Sequence, residues 1–175
     1  MTRAGFLLLS ALVLGAAHPA AAEQTYYRQQ TVSAEGLGPL RLGMTLAEAS
    51  ESLRQDLQKT AKQYVLDQCH YYVLGDSTNM GDIQVLAIGG IVRRVDVYAD
   101  NILTDKGVGV TSNALDVEKA YDTKAVRRFS HYGVVQIWVS YPESQSSLVF
   151  FTNGSRVLYY VIGNNDAVGD EANCR

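Results

Sequence analysis

Two cysteines and two of the three histidines are the residues with the clearest potential for chemistry. Cys69 and His70 are adjacent, whereas His131 and Cys174 lie much further along the chain. Zinc accepts sulfur and imidazole ligands, but the closely spaced pairs of structural zinc sites are missing here. An even cysteine count in an exported chain favours a disulfide, which would consume both sulfur atoms. We therefore expect a disulfide between Cys69 and Cys174, and no metal site.

Sequence motifs of the common enzyme classes do not occur in this chain. It has no Gly-x-Ser-x-Gly elbow, Walker loop, dinucleotide fingerprint or His-Glu-x-x-His. The acidic residues after Asn164 lack the glycine and spacing of a calcium-binding loop. We therefore expect no catalytic residue and no cofactor, and a protein that is not an enzyme. The alternative is a small periplasmic hydrolase whose carboxylates, or His131, assemble only in three dimensions.

Residues 1–22 have the pattern of a cleaved export signal. Arg3 is followed by an apolar run too short to span a bilayer comfortably, and Ala20-Ala21-Ala22 is a small-residue cleavage pattern. We expect cleavage after Ala22 and a periplasmic or secreted protein without a membrane span. Removal of Arg3 changes the formal charge from −3 to −4. An acidic chain disfavours nucleic acid as a partner, because phosphate contacts need a basic surface.

The mature chain is expected to form one compact body from an N-terminal arm, residues 23–35, and two α+β units. In the first unit, residues 36–104, Thr45 and Glu48 have the spacing of a capping box. Apolar residues then recur every three or four positions, which predicts a helix from about Thr45 to Lys59. The period next changes to two, and Gly89-Gly90 suits a tight hairpin turn. The predicted strands of this unit are 65–74, 83–88 and 91–98.

The second unit, residues 105–175, repeats this order. Thr111, Ser112 and Asn113 are all capable of capping a short helix, whose apolar stripe is Ala114, Val117 and Tyr121. Asn153-Gly154 is a strong hairpin signal. The predicted strands are 125–132, 134–141, 147–152 and 155–163.

Comparison of the two units indicates an internal duplication. Gly43 and Gly109 each precede an apolar residue and a threonine, and they lie 66 positions apart. The offset between Val92 and Val157, each just past a predicted turn, is 65. Similar offsets in the same element order suggest that each unit buries one sheet face against its twin. The repeated order of helix, strand and hairpin predicts an α+β fold.

With these elements in place, the chain resembles the tandem helix–sheet architecture of the β-lactamase inhibitory protein. It is also similar to the small lipoprotein of the bacterial outer-membrane barrel-assembly machine. The resemblance rests on Gly43-Met44-Thr45, Gly109-Val110-Thr111 and the two hairpins, and it covers about residues 36–163. It implies an α+β fold with one twisted antiparallel sheet and helices on one face. The chain looks closer still to uncharacterised exported proteins with a terminal cysteine. It lacks a lipidated cysteine, and its expected disulfide would link the two units, which departs from both named families.

Aromatic and charged residues on the less apolar sides of the strands form the candidate binding face. In 91–98, alternation separates Val92, Arg94, Asp96 and Tyr98 from a set with Val95 and Val97, which is the likelier core side. In 134–141, Trp138 lies opposite the core set. The full set that we expect on the face is Tyr72, Arg94, Asp96, Tyr98, Gln136, Trp138 and Tyr160.

Tyrosine, tryptophan and arginine dominate binding hot spots, because they combine a large rigid surface with a polar tip. The sequence therefore predicts an exported, protein-binding or inhibitor-like module, whose partner is a protein or glycan of the cell envelope. Two alternatives stay open. These tyrosines could instead cover the sheet under the helices, and the chain could be a structural envelope protein that binds nothing tightly.

Overall fold

The computed structural model describes residues 26–60, 68–74, 81–129 and 134–168, and its elements are mostly antiparallel strands with two α-helices. The predicted α+β class is therefore confirmed. The helices are α1 (Leu46–Leu53) and α2 (Ala114–Tyr121), and short 3-10 helices cover Tyr26–Gln29 and Asp122–Lys124. The strands are β1 (Val32–Ser33), β2 (Gly36–Leu37), β3 (Leu40–Arg41), β4 (Gln58–Lys59), β5 (Cys69–Leu74), β6 (Ile83–Ile88), β7 (Ile91–Val97), β8 (Ala125–Phe129), β9 (Val135–Tyr141), β10 (Ser146–Thr152) and β11 (Val157–Asn164).

One eight-stranded sheet forms the centre of the molecule, with the strand order β4-β5-β6-β7-β11-β10-β9-β8. Two sequential meanders therefore meet at an antiparallel junction of β7 with β11, where Tyr160 pairs with Val97 and Gly163 with Arg94. A second sheet contains only the short strands β1, β2 and β3. Neither α-helix of the described chain has the length and apolar character needed to cross a bilayer.

Both helices start next to a hairpin turn of the large sheet. Thr45 caps α1 with the predicted capping box, in which Glu48 accepts from the Thr45 backbone N–H at 2.8 Å. Asn113 caps α2 by accepting from the backbone N–H of Leu115. The first helical N–H then donates into the turn, from Leu46 to Gly90 at 3.1 Å and from Ala114 to Ser155 at 2.7 Å.

Two further backbone hydrogen bonds, just before the helices, correct the predicted alignment of the two helix starts. Gly43 donates to Val92 O and Thr111 donates to Val157 O, and both donors have positive φ, +89° and +68°. Thr111 therefore occupies the position that corresponds to Gly43, and the offset at the helix starts is 68 residues. The predicted offset of 66 was wrong because it matched the glycines and threonines by type, whereas backbone geometry matches Thr45 with Asn113.

Helix α1 is shorter than its apolar stripe predicted. It ends at Leu53, because Arg54 adopts the left-handed conformation (φ 54°) and its N–H bonds back to Glu51 O and Ser50 O. Gln58 and Lys59 then pair with β5 as strand β4. A helix extending to Lys59 was wrong, because pairing with the sheet edge overrides helical periodicity at these residues.

A bulge in β7 shifts the predicted alternation of that strand. The register with β6 slips between Leu86 and Ala87, so that Ala87 pairs with Val92 but Leu86 with Arg94. Arg93 is the extra residue, and Val92 joins Val95 and Val97 in the core. The expectation that Val92 shares a face with Arg94 was therefore wrong, because a bulge changes the parity of a strand.

The main hydrophobic core contains the buried residues of both helices and one side of the large sheet. From α1 it takes Ala49 and Leu53, and from α2 the predicted stripe of Ala114, Val117 and Tyr121. The segment predicted as an N-terminal arm also contributes, because Tyr27 and Val32 are buried in the same cluster. Tyr27 is held by a hydrogen bond from its hydroxyl to Asp82 at 2.6 Å.

Candidate binding face

Alternation along the strands gives the large sheet two differently lined sides. In β10, Leu148 and Phe150 belong to the main core, whereas Val149 and Phe151 belong to a separate cluster with Val161. Since successive side chains of a strand point to opposite sides, this second cluster marks the side away from the main core. We call this side the second face.

A row of aromatic rings crosses the second face from β7 to β9. Tyr98 stacks on Tyr159 with ring centroids 5.2 Å apart and an angle of 24° between the planes. Tyr159 in turn stacks on Phe151 at 4.4 Å and 7°. Trp138 packs against the same cluster from β9. We call these four residues the aromatic strip. Phe151 is buried, but Tyr98, Tyr159 and Trp138 keep part of their surface exposed.

Polar and charged neighbours fix the position of Trp138. Its indole N–H donates to Gln136 Oε1 at 2.8 Å, and the Arg128 guanidinium lies 4.3 Å from the ring centroid. Val126 pairs in register with Trp138 and is 52% exposed, so apolar surface continues to the sheet edge at β8. The aromatic strip is thus pinned by hydrogen bonding and a cation–π contact, and it is open at the β8 end.

Arg94 and Asp96 lie on the second face but are sealed from solvent, with exposed fractions of 6% and 2%. Arg94 Nε donates to Asp96 Oδ1 at 2.6 Å and Nη2 to Oδ2 at 3.0 Å. Arg94 also donates to Ala167 O at 3.0 Å and to the Tyr71 hydroxyl. The expectation that these two charges face solvent or a groove was wrong, because residues 167 and 168, which follow β11, lie over this part of the sheet.

Burial controls the protonation behaviour of this region. Desolvation raises the pKa of Asp96, although the adjacent Arg94 guanidinium acts in the opposite direction. Burial also raises the pKa of Tyr98, and the negative charge of Asp96 adds to this shift. The pKa of Arg94 is above its usual value, because burial, which lowers it, is outweighed by the attraction and hydrogen bonds of Asp96. Arg94 and Tyr98 therefore hold their protons at neutral pH.

Two of the seven predicted face residues lie on the other side of the sheet. Tyr160 is fully buried in the main core, and its hydroxyl donates to Ile102 O at 2.9 Å. Tyr72 is half-buried and packs against the same core. Their placement on the binding face was wrong. A tyrosine tip that finds a buried acceptor, as in Tyr160, lets the ring act as a core residue. Tyr72 alternates with Tyr71, which lies on the second face, and therefore points to the other side. Arg94, Asp96, Tyr98, Gln136 and Trp138 do share the second face.

The sequence analysis missed Tyr159, Phe151, Tyr71 and Arg128. Phe151 and Tyr159 are directly paired across β10 and β11, and the register of the Asn153-Gly154 hairpin would have been the signal for them. Cys69 is buried on this face beside Tyr71 and Leu86. Cys174 and His131, which the disulfide and hydrolase hypotheses invoke, lie outside the described residues. Within the described ranges, no three His, Cys, Asp or Glu side chains converge as a metal site would require.

Comparisons with known proteins bear on the fold alone. The chain matches no protein-family model and no curated protein. Among solved structures it is similar to the crystal structure of the uncharacterized protein yfeY from Escherichia coli, with a TM-score of 0.54 and 16% sequence identity. The match covers 77% of this chain and 99% of that chain. This agrees with the expected likeness to uncharacterised proteins.

Proposed function

We propose that the protein is an exported, non-catalytic binding module that takes a protein partner on its aromatic strip. The observation that supports this most directly is the open row of Tyr98, Tyr159 and Trp138, bordered by exposed Val126. Aromatic rings with polar tips give a large contact area at a low entropic cost. Residues 1–22 supply the export signal in this proposal.

The geometry of the rings favours a protein over a glycan. The rings of Tyr98, Tyr159 and Phe151 stack on one another, and one face of Trp138 is covered by Arg128. A sugar that stacks on an aromatic side chain needs a free ring face. Side chains that combine aromatic surface with polar groups suit the mixed apolar and hydrogen-bonding surface of a protein.

The binding proposal is tested by a photo-crosslinking amino acid placed at Val126, next to Trp138. The matched control is the same substitution at Leu115, which is 56% exposed on α2. We expect a discrete crosslinked protein in the native envelope fraction from position 126 only, and at least a tenfold loss of it in Trp138→Ala. Equal crosslinking from both positions would contradict the proposal.

Stability measurements complete this test. Trp138→Ala and Tyr98→Ala should leave the far-ultraviolet circular dichroism unchanged, because both side chains are partly exposed. If either change unfolds the chain while Leu115→Ala does not, the strip is part of the core and the proposal fails.

We also propose that the two α+β units arose by duplication, with both helices on the main-core side of the sheet, as in the inhibitor and lipoprotein architectures named above. The matched hydrogen bonds at Leu46 and Ala114, and the symmetrical strand order, support this. A chain cut between the units, near residue 104, should give two fragments that fold only when mixed, as circular dichroism would report. Independent folding of either fragment would contradict a shared body.

A Cys69–Cys174 disulfide is the remaining part of the proposal. Cys69 and Val168 both lie on the second face, and the six residues that follow Val168, up to Cys174, could span about 20 Å when extended. Mass spectrometry of the alkylated, unreduced protein should find no modified cysteine. Stabilisation by this long loop is up to about 4–5 kcal/mol, so reduction should lower the midpoint of thermal unfolding.

A further inference from the structure

A pocket at the opposite end of β11 from the aromatic strip has the polar groups of a ligand site. Its volume is about 370 Å³, which lies within the range of small-molecule sites. The walls come from the β1–β2 turn, from β3 and the residues that follow it, from the β7 bulge, from the β9–β10 turn and from the end of β11. The residues that matter for the argument are Ala34, Glu35, Arg41, Leu42, Arg93 and Asn164.

Two arginines that line this pocket have N–H donors beyond those used in their ion pairs. Arg41 Nη1 contacts Glu35 Oε2 at 2.7 Å, and Arg93 Nη2 contacts both carboxylate oxygens of Asp166 at 2.8 and 2.9 Å. Each guanidinium carries five N–H donors, so these contacts leave several on each side chain. Each arginine remains partly exposed. A carboxylate that enters the pocket can therefore accept from these free donors while the existing ion pairs stay in place.

Asn164 also lines this pocket. Its side-chain oxygen is buried, and no donor for it is found among the described residues. A buried polar atom without a partner is destabilising, so a ligand that donates to it removes that cost. The Glu35 carboxylate is a second acceptor on the pocket wall. Ala34 and Leu42 provide apolar surface between the charged groups.

We propose that this pocket binds a carboxylate that has a nitrogen donor two bonds away and a small apolar side chain. This is the chemistry of a free amino acid and of the carboxyl end of a peptide. Arg41 and Arg93 receive the carboxylate, Asn164 Oδ1 accepts from the N–H, and Leu42 contacts the side chain. The site lies about 17 Å along β11 from Tyr159, by strand rise, and it does not depend on the proposed binding of a protein.

The first experiment compares four probes by calorimetry or ligand-observed NMR. These are alanine, N-acetylalanine, alaninamide and acetate. Binding of alanine or N-acetylalanine, at least tenfold tighter than acetate and alaninamide, is the expected result. Tighter binding of N-acetylalanine indicates a peptide end, whereas tighter binding of alanine indicates a free amino acid. Equal binding of all four probes, or of none, overturns the proposal.

Variants then locate the site. Arg93→Gln should weaken the preferred probe at least tenfold, whereas Arg127→Gln removes another ion-paired arginine, the partner of Glu118, far from this pocket and should not. Asn164→Ala should reduce the preferred probe to the level of acetate and leave acetate unchanged. Equal losses in Arg93→Gln and Arg127→Gln overturn the proposal. Thermal unfolding of each variant identifies any that fails to fold, and Arg41→Gln then serves as the second test.

Discussion

Two neighbouring regions of the second face differ sharply in their access to solvent. Arg94 and Asp96 of β7 form an ion pair that is almost completely buried, whereas Tyr98, the residue directly after β7, is partly exposed. A short stretch of chain therefore supplies both a sealed charged centre and the first ring of an open aromatic row. The difference comes from the segment after β11, whose Ala167 O accepts from Arg94 and whose Val168 packs over the sheet.

The contrast separates residues that hold the fold from residues that are free to bind. Desolvation of two charges can cost more than their attraction returns, so a buried pair is weak evidence for net stability, but breaking it is expensive. Partly exposed rings can change partners at little cost to the fold. The charged residues that sequence analysis placed on the binding face thus belong to the structure of the protein, and the aromatic residues are the candidates for recognition.

The largest expected effect comes from breaking the ion pair. Arg94→Met should destabilise the protein by about 3–5 kcal/mol, because it leaves the Asp96 carboxylate buried without its charge partner. Chemical denaturation of the variant measures this. Replacing both residues, Arg94→Met with Asp96→Leu, should recover most of the loss, since no unpaired charge remains.

The pH dependence of the single variant gives a second measurement of the same effect. Burial already raises the pKa of Asp96, and loss of Arg94 raises it further. Below the unfolded pKa of an aspartate, near 3.9, the carboxyl is protonated in both states and its burial as an acid does not depend on pH. As the pH rises above that value, the unfolded state loses the proton more readily than the folded state, so the folded state is destabilised. The deficit of Arg94→Met should therefore be larger at pH 7 than at pH 4. A deficit that does not change with pH would contradict an ionisable Asp96 as its cause.

How far the sequence predicts this molecule depends on the kind of signal. The capping box at Thr45 and the stripe of α2 are local patterns, and both are found where expected. The parity of β7 was not predictable, because one bulge residue, Arg93, puts Val92 and Arg94 on opposite sides of the sheet. Likewise, no local signal places Ala167 over Arg94, since that contact joins residues 73 positions apart. The sequence therefore predicts only in part which residues lie on the binding face, and it does not predict that Arg94 and Asp96 are buried there.

A substitution at Gly163 tests whether the segment after β11 covers Arg94 and Asp96. A Cβ at this position would lie 2.9 Å from Arg93 O, 2.9 Å from Val168 Cγ1 and 3.0 Å from Arg94 Cβ. Gly163→Ala should cost about 1–3 kcal/mol by overpacking, measured by denaturation, and it should raise hydrogen exchange at residues 166–168. Gly154→Ala is not a suitable control, because Gly154 has positive φ. Ser140→Ala is suitable, since Ser140 is exposed on β9, two strands away in the same sheet. If Gly163→Ala is as neutral as Ser140→Ala, the segment after β11 is not packed against β7.

The smallest expected effect concerns the open end of the aromatic strip. Arg128→Ala removes the cation above Trp138 and should cost only about 0.5–1 kcal/mol, the range of an exposed cation–π contact. Trp138 is the only tryptophan in the chain, so its fluorescence reports this change directly and should shift in wavelength or intensity. The control is Arg127→Ala, whose side chain pairs with Glu118 instead and should leave the emission unchanged. An unchanged spectrum in Arg128→Ala, or a loss of several kcal/mol, would mean that Trp138 is not the partly exposed residue on which the contrast between the two regions depends.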